Sequence, residues 1–305
     1  MKEIKIRSMI SFDWAMKRLL RQKANFEVLE GFLSELLYRK VIIKSIGESD
    51  GNQTAKNDKY NRVDILVEAD DKELIIIELQ FYGQDDYFER MLYGVSKSIT
   101  DYMYKGDAYH KVRKVYSINI VYFDLGKGED YVYHGITNFT GLHTRKELLL
   151  DESQRNLYRK EFVGELYPEY YILKVNNFND VAKDTLDEWI YYLKNNQIRD
   201  DFTAQGIAQA REALAFDNLS EEEKRQYERE VKDRRIRDSE INTAFNKGER
   251  EGLKKGEAKG LKKGRAEGRA EGKAERVKLK TEKAKLETEK AQLLARVAEL
   301  GRKKI

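Results

Sequence analysis

The chain has 305 residues, 40% hydrophobic and 37% charged, with a formal net charge of +4 at pH 7. It has no cysteine, which excludes disulfides and thiolate metal sites, and its three histidines, His110, His134 and His143, lack metal-ligand spacing. No apolar run approaches the roughly 18–20 residues that span a bilayer. Charges interrupt the opening MKEIKIRSMISFDWAMKRLL, so a signal peptide is not expected and a cytoplasmic protein is.

In chain order, NFEVLEGFLSELLYRK predicts an amphipathic helix. Phe26, Leu29, Leu33 and Leu36 recur at helical spacing, and Phe32 and Leu37 widen the stripe. VIIKSI (41–46) reads as a short strand, and the polar segment 48–61, with Asp50-Gly51, as a loop. Two apolar runs follow in RVDILVEADDKELIIIELQ (62–80). Residues 86–105 predict a helix with Phe88, Leu92, Val95, Ile99 and Met103 on its apolar face. KVYSINIVYFDL (114–125), β-branched and aromatic, predicts a central strand; 132–139 and 169–178 predict further strands, and 184–196 a closing helix. Mixed helix and strand signals point to an α/β sheet covered by helices.

After about residue 200 the strand signals stop. Ser220, with Glu223 three residues on, has the capping-box pattern at the start of a densely charged helix. Seven glycines then recur at every fourth position from Gly248 to Gly272. Each costs a helix about 0.5–1 kcal/mol relative to alanine. Small residues at this spacing let helices approach closely in membranes, but Lys, Arg and Glu fill the other positions, which excludes a membrane setting. Leu279, Leu286, Leu293 and Leu300 fall seven apart, with Lys283, Lys290 and Val297 at the companion position. A weak coiled coil and a solitary charged helix both fit this pattern. Charge is unevenly divided: residues 241–305 hold 20 basic and 10 acidic groups, and the remainder 38 and 44. An acidic body therefore carries a basic tail.

The two runs at 62–80 each carry an acid where a buried strand is ordinarily apolar. Side chains alternate along a strand, so Glu78 and Gln80 share a face, as do Asp64, Leu66 and Glu68. An antiparallel pairing that sets Asp64 opposite Glu78 leaves Asp70, Asp71 and Lys72 as a three-residue loop, a permitted hairpin length. Facing like charges are destabilising. A divalent cation would offset that, since Mg²⁺ is held by one or two carboxylates plus waters and phosphate oxygens. Glu68 and Glu73, beside the turn, read as solvated acids.

The pattern D-(13 residues)-E-x-Q on a hairpin resembles the core of the PD-(D/E)xK nucleases. DWAMKRLL (13–20), VLEGFLSELL (28–37), DKYNRVDILV (58–67), IIIELQ (75–80) and DYFERMLYGVSKSI (86–99) are similar to the recombination-promoting nuclease and transposase branch of that superfamily. SINIVYFDL (117–125), DYVYHG (130–135) and the glycine-repeat tail extend the match, which covers roughly residues 10–200. The resemblance implies a restriction-endonuclease-like α/β fold, a mixed sheet flanked by helices, followed by a long charged helical tail. The implied division is a nuclease-like domain at 1–200, a charged helical linker at 201–245 and a repeat and coiled-coil tail at 246–305.

Carried over residue by residue, the resemblance implies that Asp64 and Glu78 ligate the metal and that Gln80 stands where the motif lysine usually is. It implies that Glu30 adds an acid from the first helix, where an ordinary solvent-facing glutamate is the alternative. Arg90 would contact a phosphate, with a surface salt bridge as its alternative. Glutamine can orient a water but carries no charge, and Val63 replaces the motif proline. Mg²⁺ is the implied cofactor, with Mn²⁺ or Ca²⁺ as substitutes, and DNA the implied substrate. Lys56, Lys59 and Arg62, on the loop before the first acidic strand, are the local candidates for DNA contact, and the tail for homo-oligomerisation. The expected function is a metal-dependent DNA endonuclease serving recombination or transposition-like movement. The alternative is a weakly active or inactive DNA-binding relative that self-associates through its tail.

Overall fold

The computed structural model describes residues 6–47, 64–70 and 72–302, with side chains described from residue 9 to residue 297 within those ranges. The expected loop at 48–61, with Lys56 and Lys59, lies outside the described residues, as do Arg62 and Asp71.

In chain order the elements are β1 (Ile6–Ser8), α1 (Phe12–Arg18), α2 (Phe26–Leu36), β2 (Ile43–Gly47), β3 (Ile65–Ala69), β4 (Leu74–Gln80), α3 (Tyr87–Asp101), β5 (Val115–Val121) and β6 (Val132–Gly135). They continue with α4 (Glu152–Tyr158), β7 (Glu169–Lys174), α5 (Thr185–Asn195), β8 (Gln197–Arg199), α6 (Ile207–Ala213) and α7 (Glu221–Arg302). A mixed six-stranded sheet runs β2-β3-β4-β5-β7-β6, and β1 pairs with β8 in a separate antiparallel ribbon. The β4/β5 and β5/β7 pairs are parallel and the other sheet pairs antiparallel. Every residue of β5 is buried, as expected of a parallel strand covered on both faces.

The β3–β4 hairpin adopts the register read from the alternation: Ile65 faces Ile77, and Glu68 faces Leu74. The Ala69 amide donates to the Glu73 carbonyl at 3.0 Å and the Lys72 amide to the Ala69 carbonyl at 2.9 Å, closing the turn, and Lys72 takes a φ of 67°. A left-handed residue ending a three-residue loop is a common hairpin solution.

Period-2 alternation divides the sheet between two sets of helices. Ile75, Ile77 and Leu79 of β4 join the main core with α1, α2, α5 and α6, in which Phe12, Phe32, Trp189 and Tyr192 meet edge to face. Leu74 and Ile76 pack instead on Val95 of α3. Glu78, two residues beyond Ile76, therefore faces α3. The α2 helix and the turn before α6 touch through backbone: a Cβ on Gly31 would lie 2.3 Å from the Gln205 carbonyl oxygen. Gly206, at φ +75°, completes that contact.

Three local expectations are corrected. The buried face of α3 is Tyr87, Met91, Gly94, Val95 and Ser98, while Phe88 and Leu92 are exposed. The helix is turned so that Tyr87 and Arg90 address the polar end of β4. Glu73 is buried rather than solvated, because Arg39 and Lys160 both pair with it and offset the loss of water. Helix α5 does not close the fold: Phe202, Ala204, Ile207, Ala210, Leu214 and Leu219 continue the main core.

Packing defines two units, Met1–Tyr227 and Glu228–Ile305. At the start of α7 the capping box forms: the Glu223 amide donates to Ser220 Oγ, and the Ser220 amide to Glu223 Oε2 at 2.9 Å. Tyr227 packs on Trp14 and accepts from the Ser11 amide. In the second unit the described residues form one helix whose leucines are exposed. No helix among the described residues is long and apolar enough to cross a membrane.

Candidate active site

Residue Asp64 stands one position before β3 and is half-buried. Its Oδ2 accepts a 2.7 Å hydrogen bond from the Leu79 amide, so the backbone of β4 orients the carboxylate of the neighbouring strand. Glu78, next to Leu79, is 4% exposed. Its Oε2 lies 3.4 Å from Arg90 Nε of α3 but has no hydrogen-bond partner. An oxygen so placed has lost water without a full replacement.

The electrostatics follow from that geometry. Burial pushes the Glu78 carboxyl up to about 7, with Arg90 opposing the rise and Asp64 reinforcing it. Burial also raises Asp64, against the Leu79 amide and the Lys17 ammonium. Two desolvated acids, with Asp64 disfavouring the charge of Glu78, form a site that gains by accepting a cation.

The two acids are brought together as the alternation implied. Gln80 is on the same side of β4, half-buried, with Nε2 donating to the Tyr82 carbonyl at 3.1 Å. Arg90 bridges from Glu78 to Gln84 Oε1, which lies 3.2 Å from Nη1. Glu30 is engaged elsewhere: its Oε1 accepts from the Ile43 amide at 2.7 Å and so ties β2 to α2.

Sequence reasoning missed three neighbours of the acids. Asp13 of α1, 3% exposed, and Lys17, one turn on, are paired at 2.7 Å, and both act on Asp64. Tyr87 is buried beside the acids, and its hydroxyl donates to Asn119, the β5 residue in register with Glu78. Burial, followed by the charge of Glu78, holds the Tyr87 phenol well above its usual range, so it stays protonated. The spacing of Asp13 and Lys17 at i and i+4 was visible in DWAMKRLL, but nothing in the sequence tied α1 to the hairpin.

Among the described residues no group of three or more His, Cys, Asp or Glu side chains is arranged to hold a metal ion. The set available is the Asp64–Glu78 pair. It fits a hard divalent cation that keeps waters and takes further oxygens from phosphate, and the unpartnered Glu78 Oε2 is the oxygen such an ion would satisfy.

Searches of curated proteins and of solved structures return no match. A family model described as PD-(D/E)XK nuclease family transposase matches residues 10–244, from α1 through the sheet into α7. The chain therefore belongs to the PD-(D/E)XK nuclease family transposases.

Proposed function

We propose that this protein is a metal-dependent DNA endonuclease that hydrolyses phosphodiester bonds in support of recombination or transposition-like DNA movement. The observation that carries the reading is the carboxylate pair at neighbouring strand positions, Glu78 buried and Asp64 half-buried, with Glu78 Oε2 left without a hydrogen-bond partner. Mg²⁺ is the ion proposed, with Mn²⁺ as a substitute and Ca²⁺ as a binding analogue. When bound it would supply Lewis acidity and a more acidic water.

The chain's own groups have separable tasks. Asp64, held by the Leu79 amide, and Glu78 provide the negative oxygens. Gln80 can orient a water by hydrogen bonding but cannot offset charge. Arg90, beside Glu78, would contact a phosphate. Lys56, Lys59 and Arg62 would add phosphate contacts of the salt-dependent, sequence-independent kind.

The test is cleavage of supercoiled plasmid by purified protein beside Asp64→Ala, in Mg²⁺, Mn²⁺, Ca²⁺ and EDTA. Loss of supercoils by wild type in Mg²⁺ or Mn²⁺ only is the expected result. Absence of cleavage in every metal by folded protein would sink the nuclease reading. It would favour the second one, a silent nuclease fold that binds DNA and self-associates through 246–305. Gln80 in the place of the motif lysine, and the exposed leucines of α7, are the observations behind that second reading.

A further inference from the structure

In-line attack on a phosphodiester builds negative charge on the phosphoryl oxygens, and preorganised positive charge aimed there lowers the barrier. Gln80 cannot supply it. Of the two cations whose charge lowers the Asp64 carboxyl, Arg90 is shared between Glu78 and Gln84, on the α3 side. Lys17 approaches from the opposite element, α1. Two contacts and its exposure locate it. Its Nζ lies 2.7 Å from Asp13 Oδ1, and Asp13 is buried, so the stem is anchored from one turn back. Just past the end of α1, Arg21 Nη2 donates to the Asp64 backbone carbonyl at 2.8 Å, which pins this segment to the start of the catalytic hairpin. The Lys17 side chain is 44% exposed, so a polyanion can reach it from solvent.

We infer that Lys17, carried on α1 rather than on β4, contacts the scissile phosphate and supplies the positive charge that Gln80 lacks. The inference rests on the nuclease reading of the Asp64–Glu78 pair. Of the side-chain charges acting on Asp64, that of Lys17 is the largest, which supports its placement at the site. A compact ammonium on a flexible stem acts as a point charge toward phosphate. Its part is electrostatic. A water oxygen bonds to phosphorus, one ester P–O bond breaks, the water releases a proton to solvent, and the leaving oxygen gains one from solvent. Lys17 keeps its three protons throughout.

The experiment compares full-length wild type, Lys17→Met, Lys17→Arg, Gln80→Lys and the double variant Lys17→Met/Gln80→Lys. A further pair, Asp13→Asn/Lys17→Met, removes the buried charge together with its partner and guards against misfolding, which melting curves monitor. Two readouts are taken: plasmid cleavage in Mg²⁺, and binding of a short duplex in Ca²⁺ as a function of salt. Lys17→Met is expected to cleave about 100-fold more slowly and to lose about one unit of salt slope. Lys17→Met/Gln80→Lys is expected to recover to within tenfold of wild type. Lys17→Met cleavage within twofold of wild type, or an unchanged salt slope, overturns the inference. So does a double variant that stays inactive while Gln80→Lys alone is active. If wild type itself does not cleave, the nuclease reading fails, and the salt slope alone then decides whether Lys17 meets phosphate.

Discussion

The body and the tail break the usual partition of residues in opposite directions. In the body, Glu78 carries a carboxylate at 4% exposure, on a strand whose other residues are apolar except Gln80. In the tail, Leu279, Leu286 and Leu293 stand 58–63% exposed on a charged helix. A buried acid without a full partner set and an exposed leucine ladder are both incomplete by themselves. The acid is incomplete in charge, and under the proposed function a cation and a phosphate would answer it. The ladder is incomplete in apolar contact, and under the second reading another apolar surface would answer it.

Removing either acid of the body has the largest expected effect. Asp64→Ala or Glu78→Ala should lower plasmid cleavage by three orders of magnitude or more, on the scale of lost transition-state charge stabilisation. Melting temperatures should hold or rise, because each change relieves a desolvated carboxylate. A variant that melts much earlier than wild type would mark the acids as structural.

The same acids set a pH dependence. The Glu78 carboxyl is raised by burial to about 7, so the folded protein holds its proton more tightly than the unfolded chain does. Stability from this group is therefore full below the ordinary glutamate range and is lost as pH rises through about 7. Metal-free protein should melt at lower temperature at pH 8 than at pH 5.5 by this contribution. Glu78→Gln should flatten the trend, and Mg²⁺ affinity should climb roughly tenfold per unit up to about pH 7, because binding displaces the proton. A pH-independent affinity from titration calorimetry would contradict the assignment.

Truncation before residue 246 tests the other half of the comparison. If the ladder is answered by a second copy, wild type should sediment as an oligomer, and both the truncated chain and Leu286→Lys should not. Unchanged sedimentation leaves the tail as a solitary charged helix. Glu30→Gln should leave cleavage within threefold of wild type, since the amide oxygen can still accept from Ile43; loss of activity at unchanged melting would bring that carboxylate into the reaction. The smallest effects are at the repeat glycines. A Cβ on any of Gly248 to Gly272 meets open space within the chain. Each Gly→Ala change should therefore add about 0.5–1 kcal/mol of helix stability, read as slower amide exchange. Dissociation of an oligomer instead would reveal a close helix partner.

Much of the fold was legible in sequence wherever local rules governed it. The β3–β4 register followed from period-2 alternation and a loop length that admits few solutions, and α2 and the α7 cap followed from spacing and capping chemistry. The acids Asp64 and Glu78 stood out because they interrupt buried strands. What α3 turns inward was not legible: its apolar stripe and its buried face differ, because Tyr87 and Arg90 turn toward the polar end of β4, a contact that apolar periodicity does not encode. Nor could composition reveal that Glu73 is buried between two cations from distant segments.

By itself, then, the sequence determined the hairpin, the helix ends, the paired acids on one face and the charge asymmetry between body and tail. These depend on neighbours within a few residues or across one short turn. Only the tertiary structure decided that α1 and the turn after it set Asp13, Lys17 and Arg21 beside Asp64, that Glu30 is spent on β2, and that residues 202–219 complete the core. Those contacts join segments separated by tens to hundreds of residues, and the packing of helices on the two sheet faces, rather than any local preference, selects them.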